Sequence, residues 1–151
     1  MSIKIETERK FLVTNRDYKK QYSSKEKITQ AYLSKDPKRS VRIRVNNRKG
    51  WITIKGESDK KGLSRMEWER EIPLKTAKKL LKICLPNPIN KIRYKIQLNN
   101  NITIEVDEFL GHNKGLVLAE IELISKDQPF EKPDWLGKEV TGIKKFYNSM
   151  M

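Results

Sequence analysis

The chain of 151 residues holds one cysteine, Cys84, and one histidine, His112. An internal disulfide is excluded, and so is a Cys/His zinc cluster, which needs three or four such ligands. Any metal would be held by oxygen. Acids are scarce beside bases: 19 Asp or Glu stand against 33 Lys or Arg, a formal charge of +14. No apolar run approaches the roughly 20 residues that span a bilayer, so no membrane partner is expected. The opening Met1-Ser2-Ile3-Lys4-Ile5-Glu6 turns charged before a leader's apolar region could form, and the expected compartment is the cytoplasm. There is no internal repeat, no low-complexity tract and no Gly-, Pro- or Ser-rich linker, so one domain over residues 1–151 is expected. Hydrophobic residues make up 36%, lean for a core but more than a disordered chain of this charge carries.

The positive excess suggests a polyanion as partner, nucleic acid included, or merely a solvated surface of lysines. Composition does not choose between them; position says more. Apolar and polar residues alternate at period two through most of the chain, which predicts strands over 2–12, 27–34, 39–46, 50–56, 64–73, 89–98, 101–109 and 116–125. The fold class is therefore mainly β, with a few short helices. Asn46-Asn47-Arg48-Lys49-Gly50 and Asn99-Asn100-Asn101 read as tight reversals using left-handed residues. Helical signals occur over 15–22, over 74–85 with Pro86 as the stop, and over 143–150. Ser58 to Gly62 is the expected mobile loop.

Side chains two apart on a strand share a face. Glu6, Glu8 and Lys10 share one on the first strand, Glu67 and Glu69 on the fifth, Glu105 and Asp107 on the seventh, Glu120 and Glu122 on the eighth. Arg42 with Arg44 and Lys91 with Arg93 are basic counterparts, and Lys55 and Arg65 extend that set. A single such pair is ordinary on a solvated sheet face. Four acidic and two basic pairs together are not, because like charges two apart repel. Eight antiparallel strands can close into a barrel, and inward-facing charges would line its lumen with carboxylates on some strands and cations on others. Carboxylates are the ligands for Mg²⁺ or Mn²⁺; Arg and Lys hold phosphate. Together they describe a site for a metal-bound polyphosphate. With eight acids and seven bases inside, 26 bases and 11 acids remain for the exterior, where they would steer an anion inward.

The opening Glu6-Thr7-Glu8-Arg9-Lys10 resembles the ExExK signature of the triphosphate tunnel metalloenzymes, the CYTH superfamily. The resemblance continues in order through Gln30-Ala31-Tyr32-Leu33, Val41-Arg42-Ile43-Arg44, Thr53-Ile54-Lys55-Gly56, Arg65-Met66-Glu67-Trp68-Glu69, Lys91-Ile92-Arg93-Tyr94, Glu105-Val106-Asp107, Ala119-Glu120-Ile121-Glu122 and Glu139-Val140-Thr141. It implies an eight-stranded antiparallel β tunnel and hydrolysis or rearrangement of triphosphates with a divalent cation, Mg²⁺ or Mn²⁺. It further implies Glu6, Glu8, Glu120 and Glu122 as the main metal ligands, with Asp107, Glu67 and Glu69 in support. Lys10, Arg42, Arg44, Lys91 and Arg93 would hold the triphosphate, joined by Arg65 and, near the end, Lys145. By resemblance to the compact bacterial branch, Lys55 with Tyr32 would activate water. That requires a lysine pKa well below about 10.4, which Arg42 and Arg44 could supply, and predicts an alkaline optimum. The alternative for Lys55 is a phosphate-binding cation, and for Tyr32 a packing role. Ala31 stands where a glycine is common in the family, Ile143 where an acidic residue is frequent and Phe146 where a tyrosine is.

His112 reads as a solvated loop residue, Cys84 as core packing, and Trp51, Trp68 and Trp135 as packing outside the lumen or at its ends. The expected activity is hydrolysis of inorganic tripolyphosphate to pyrophosphate and phosphate. The alternatives within the family are thiamine triphosphatase, nucleoside triphosphatase and class IV adenylyl cyclase. Outside it stands a non-catalytic barrel binding polyphosphate or nucleic acid through its basic exterior; the strands lack the interleaved aromatics of a base-stacking platform. Monomer and homodimer both stay open.

Overall fold

The computed structural model describes residues 3–151, and of Asn100 the backbone alone; the expected strand start at residue 2 lies outside the described residues. All eight expected strands form: β1 (Lys4–Val13), β2 (Ser24–Ser34), β3 (Arg39–Val45), β4 (Gly50–Gly56), β5 (Ser64–Ile72), β6 (Ile89–Gln97), β7 (Thr103–Phe109) and β8 (Val117–Glu122). Every pairing is antiparallel, in the order β5-β4-β3-β2-β6-β7-β8-β1, and β1 pairs back to β5, closing the ring. The expected β tunnel is therefore present as a closed barrel. A ninth strand, β9 (Leu136–Glu139), was not expected. At four residues it is too short to show a period, and it follows β5 along the same edge of β1, beside Phe11–Val13.

The helical expectations need correction. The single α-helix among the described residues, α1 (Leu74–Leu81), ends short of the expected 85, and residues 82–84 continue as tighter i→i+3 bonds. The expected helix over 15–22 is one 3₁₀ turn, Asp17–Lys20, preceded by Asn15, whose Oδ1 accepts the Asp17 N–H at 2.8 Å. The closing helix is two 3₁₀ turns, Lys144–Phe146 and Asn148–Met150, because Tyr147 between them is extended. Of the asparagines in the two expected reversals, only Asn101 is left-handed, at φ 60°. Asn46 works through its side chain, whose Oδ1 accepts the N–H groups of Arg48 and Lys49.

The register shows where the apolar residues go. On the outer face of β6, β7 and β8, Tyr94, Ile96, Ile104, Val106, Ala119 and Ile121 bury beneath Tyr18, Trp135 and Leu136. On the outer face of β3, Ile43 and Val45 bury beneath Ala77 of α1, with Leu80, Leu81 and Cys84 around them. Gly50 permits this approach, since a Cβ there would stand 2.3 Å from that of Ala77. Each fully buried aliphatic side chain is worth roughly 1.5–3 kcal/mol. The third cluster lies inside: Ile89, Phe109 and Leu118 share a face with Lys91, Asp107 and Glu120, and with Val140, Phe146 and Met151 they fill one end of the lumen. The rest of the inward face is polar and mostly charged, with Gln30, Tyr32, Ser40 and Thr53 among its neutral members.

Candidate active site

Each strand wall is one residue thick, so alternation that buries Ile92, Val106 and Ile121 outside must turn Lys91 and Arg93, Asp107, and Glu120 inward. A cavity with about 820 Å³ of empty space, part of it open to solvent, results. Its wall includes Glu6, Glu8, Lys10, Tyr32, Arg42, Lys55, Arg65, Lys91, Arg93 and Glu120. Of the residues singled out by sequence, these ten are brought together.

The ring order sorts them by sign. Four adjacent strands, β7, β8, β1 and β5, carry all the inward acidic pairs; the other four, β4, β3, β2 and β6, carry Lys55, Arg42, Arg44, Lys91 and Arg93. Lys10 and Arg65 are the cations that stand within the acidic half. Ion pairs concentrate where the halves meet. At the β4–β5 seam, Lys55 Nζ lies 2.9 Å from Glu6 and 3.4 Å from Glu67, and Glu69 lies 3.6 and 3.5 Å from Arg42 and Arg44. At the β6–β7 seam, Arg93 Nε and Lys91 Nζ each lie 2.8 Å from Asp107, and Arg93 also reaches Glu105 at 3.3 Å. Lys10 pairs with Glu120 at 3.3 Å. Glu67, Glu69 and Asp107 therefore stand behind the cations rather than on the cavity wall. Glu122 is largely exposed and pairs with Lys4. Arg44 lies under the Trp51 ring. Lys145 is exposed, over Phe146, and the structure does not bring it to the cavity.

Away from the seams, charge is left over. Glu8 has no ion pair among the described residues; burial, Glu120 and Glu6 push its carboxyl up to about 8. Opposite, the buried Nε of Arg42 has no hydrogen-bond partner. Burial and the neighbouring Arg93 bring Lys91 down to about 8 despite Asp107, and burial with Arg42 and Arg93 brings Arg44 to about 10. Burial would raise Asp107, but Arg93 and Lys91 outweigh it and hold the carboxyl at about 2. For Lys55 the expectation of a lowered pKa is reversed: burial and Arg42 act downward, yet Glu8 and Glu6 prevail and raise it.

Among the described residues no three Asp, Glu, His or Cys side chains stand close enough, as placed, to hold one ion. The donor set still fits a hard divalent cation. Glu6, Glu8 and Glu120 offer oxygen alone, and the raised Glu8 carboxyl marks negative charge without a local counterion.

Sequence reasoning passed over Ser40, Thr53, Thr141, Tyr147 and Asn148, which also line the cavity. Parity was the available signal for Ser40 and Thr53, two residues before Arg42 and Lys55. Ala31 occupies ordinary extended backbone in β2, so the glycine frequent there is not required.

The CYTH domain profile matches residues 4–147. This chain belongs to the CYTH family. It is 47% identical over 145 residues to an inorganic triphosphatase of Acetivibrio thermocellus, covering 95% of this chain and 90% of that one. It is 33% identical over 150 residues to an inorganic triphosphatase of Nitrosomonas europaea, covering 97% and 95%. Among solved structures, the crystal structure of an inorganic triphosphatase superposes with a TM-score of 0.65 at 30% identity, covering 96% of this chain and 92% of that one.

Proposed function

We propose that this protein is a divalent-cation-dependent inorganic triphosphatase, hydrolysing tripolyphosphate to pyrophosphate and phosphate within a single-domain tunnel. The observation that carries the reading is the lumen divided by sign, with the buried Nε of Arg42 left without a hydrogen-bond partner in its basic half and Glu8 left without an ion pair among the described residues in its acidic half. The inorganic triphosphatase relatives support it. So does the wall itself, where Tyr32, Leu63 and Tyr147 are the bulky apolar side chains among the described lining residues, no obvious cradle for a nucleobase or thiazole.

In this reading Lys10, Arg42, Arg65, Lys91 and Arg93 bind the triphosphate oxygens, and Arg44 reinforces Arg42 from behind. Glu6, Glu8 and Glu120, with Glu122 at the mouth, would hold Mg²⁺ or Mn²⁺; Glu67, Glu69 and Asp107 orient the cations. The bound metal would neutralise charge on the phosphoryl groups. Water attacks a terminal phosphorus, the P–O bond to the bridging oxygen breaks, and pyrophosphate leaves. Lys55 faces that water with Tyr32 beside the same cavity. As an ammonium paired with Glu6 and Glu67, it serves the transition state as a cation. Lys55→Arg separates the two roles: a cation's task survives it and a base's does not.

The test is phosphate release from tripolyphosphate, ATP and thiamine triphosphate in parallel, with Mg²⁺, Mn²⁺ or EDTA, and Glu6→Ala as the blank. Fast release from tripolyphosphate, abolished by EDTA, is expected. Tight binding of tripolyphosphate or RNA with no hydrolysis of any substrate would make the barrel a polyanion receptor instead.

A further inference from the structure

Residues 146–150 run across the inner end of the cavity, and their oxygens sit on its cations. Lys10 Nζ donates to the Phe146 carbonyl at 3.0 Å. Lys91 Nζ donates to Asn148 Oδ1 at 3.0 Å, and Gln30 Nε2 donates to the same Oδ1 at 3.0 Å. Gln30 is fully buried on β2, two residues from Tyr32 on the inward face. The orientation of both amides is forced. An ammonium only donates, so Asn148 must present oxygen to Lys91; Gln30, meeting that oxygen, must present nitrogen. The Oε1 of Gln30 is then left buried with no partner, a cost that a segment serving packing alone would not incur.

Two anionic-site lysines and a buried amide thus converge on two neutral oxygens of one short segment. We infer that this segment stands in for the oxygens of a substrate phosphoryl group, that the phosphoryl displaces Asn148 on binding, and that Gln30 is a further substrate-binding residue. The inference rests on the triphosphatase reading and deepens it. A phosphoryl oxygen carries charge where an amide oxygen carries only a dipole, so it wins both Lys91 and Gln30. Displacement is local. Phe146 and Met151 anchor the segment on either side in the apolar cluster with Ile89, Phe109 and Leu118, and Tyr147 between them is already extended.

The test is calorimetric binding of tripolyphosphate, paired with steady-state kinetics, in wild type, Asn148→Ala, Asn148→Asp, Gln30→Ala and Gln30→Glu, with thermal melts to confirm folding. Removing the competitor in Asn148→Ala should lower Kd and KM about 3- to 10-fold with kcat within about twofold, while the carboxylate of Asn148→Asp, a stronger competitor for Lys91, should raise both at least about tenfold. Gln30→Ala should weaken binding about 5- to 10-fold, and Gln30→Glu more, since it adds charge without loss of volume. Unchanged or weaker binding in Asn148→Ala would overturn the inference, because Asn148 would then hold Lys91 in place rather than compete for it. Normal binding in both Gln30 variants would remove Gln30 from the site. A wild type that neither binds nor hydrolyses tripolyphosphate would instead bring down the functional reading itself, a failure visible before any variant is compared.

Discussion

The two halves of the barrel are built alike and charged oppositely. In the acidic half, β7, β8, β1 and β5, carboxylates crowd one another until Glu8 is pushed up to about 8. In the basic half, the buried Nε of Arg42 finds no hydrogen-bond partner, and burial with Arg42 and Arg93 pushes Arg44 down to about 10 from the other direction. At the seams each sign finds the other and the groups settle, as Asp107 does between Arg93 and Lys91. The lesson is that pairing fixes the wall and its absence marks the site: the groups left wanting lie in the middle of each half, where a cation and an anion would relieve them.

Breaking the middle should cost the most activity. Glu8→Ala or Arg42→Ala should lower kcat/KM for tripolyphosphate by about 10²–10³-fold, and Arg42→Lys should recover only part of it, because an ammonium cannot make the paired contacts of a guanidinium. Breaking a seam should instead cost stability. Asp107→Asn leaves Lys91 buried without its anion and Arg93 with Glu105 alone, and should lose about 3–5 kcal/mol in urea unfolding at pH 7. The folded Asp107 pKa is below its unfolded value, so its contribution is present above pH 3.8 and fades as pH falls toward about 2. The wild-type advantage over Asp107→Asn should shrink in that window.

Glu8→Gln sharpens the contrast from the opposite side. The folded Glu8 pKa is above its unfolded value, so the native state binds more protons between pH 4.5 and about 8, and Glu8 costs stability progressively as pH rises through that range. Thermal melts without divalent cation should find Glu8→Gln the more stable by on the order of 2 kcal/mol at pH 8.5 and little different at pH 5. His112→Ala, in an exposed turn paired only with Asn113, should change neither melts nor rates.

Most of this was legible in period two. Alternation names the strands and says which residues share a face, and it separated Glu120 and Glu122 from Ala119 and Ile121 correctly. It does not say which strands become neighbours around a ring. That is why Lys55 was misjudged: Arg42 and Arg44 are near in sequence, but closure of β1 on β5 brings Glu6 from 49 residues away to within 2.9 Å. The closing segment was misread as a helix because its apolar residues answer to the lumen's end cluster rather than to a helical face. Asn148 carried no local signal, since its partners, Lys91 and Gln30, lie 57 and 118 residues away.

In most folds the interior holds the molecule together and the chemistry is confined to loops at its margin. Here most of the packing is carried by outward side chains beneath α1 and the segment around Trp135, and the inward positions are largely relieved of that duty. A lineage can therefore retune the tunnel's lining for a new anion one inward residue at a time, and the barrel that carries it need not be reinvented.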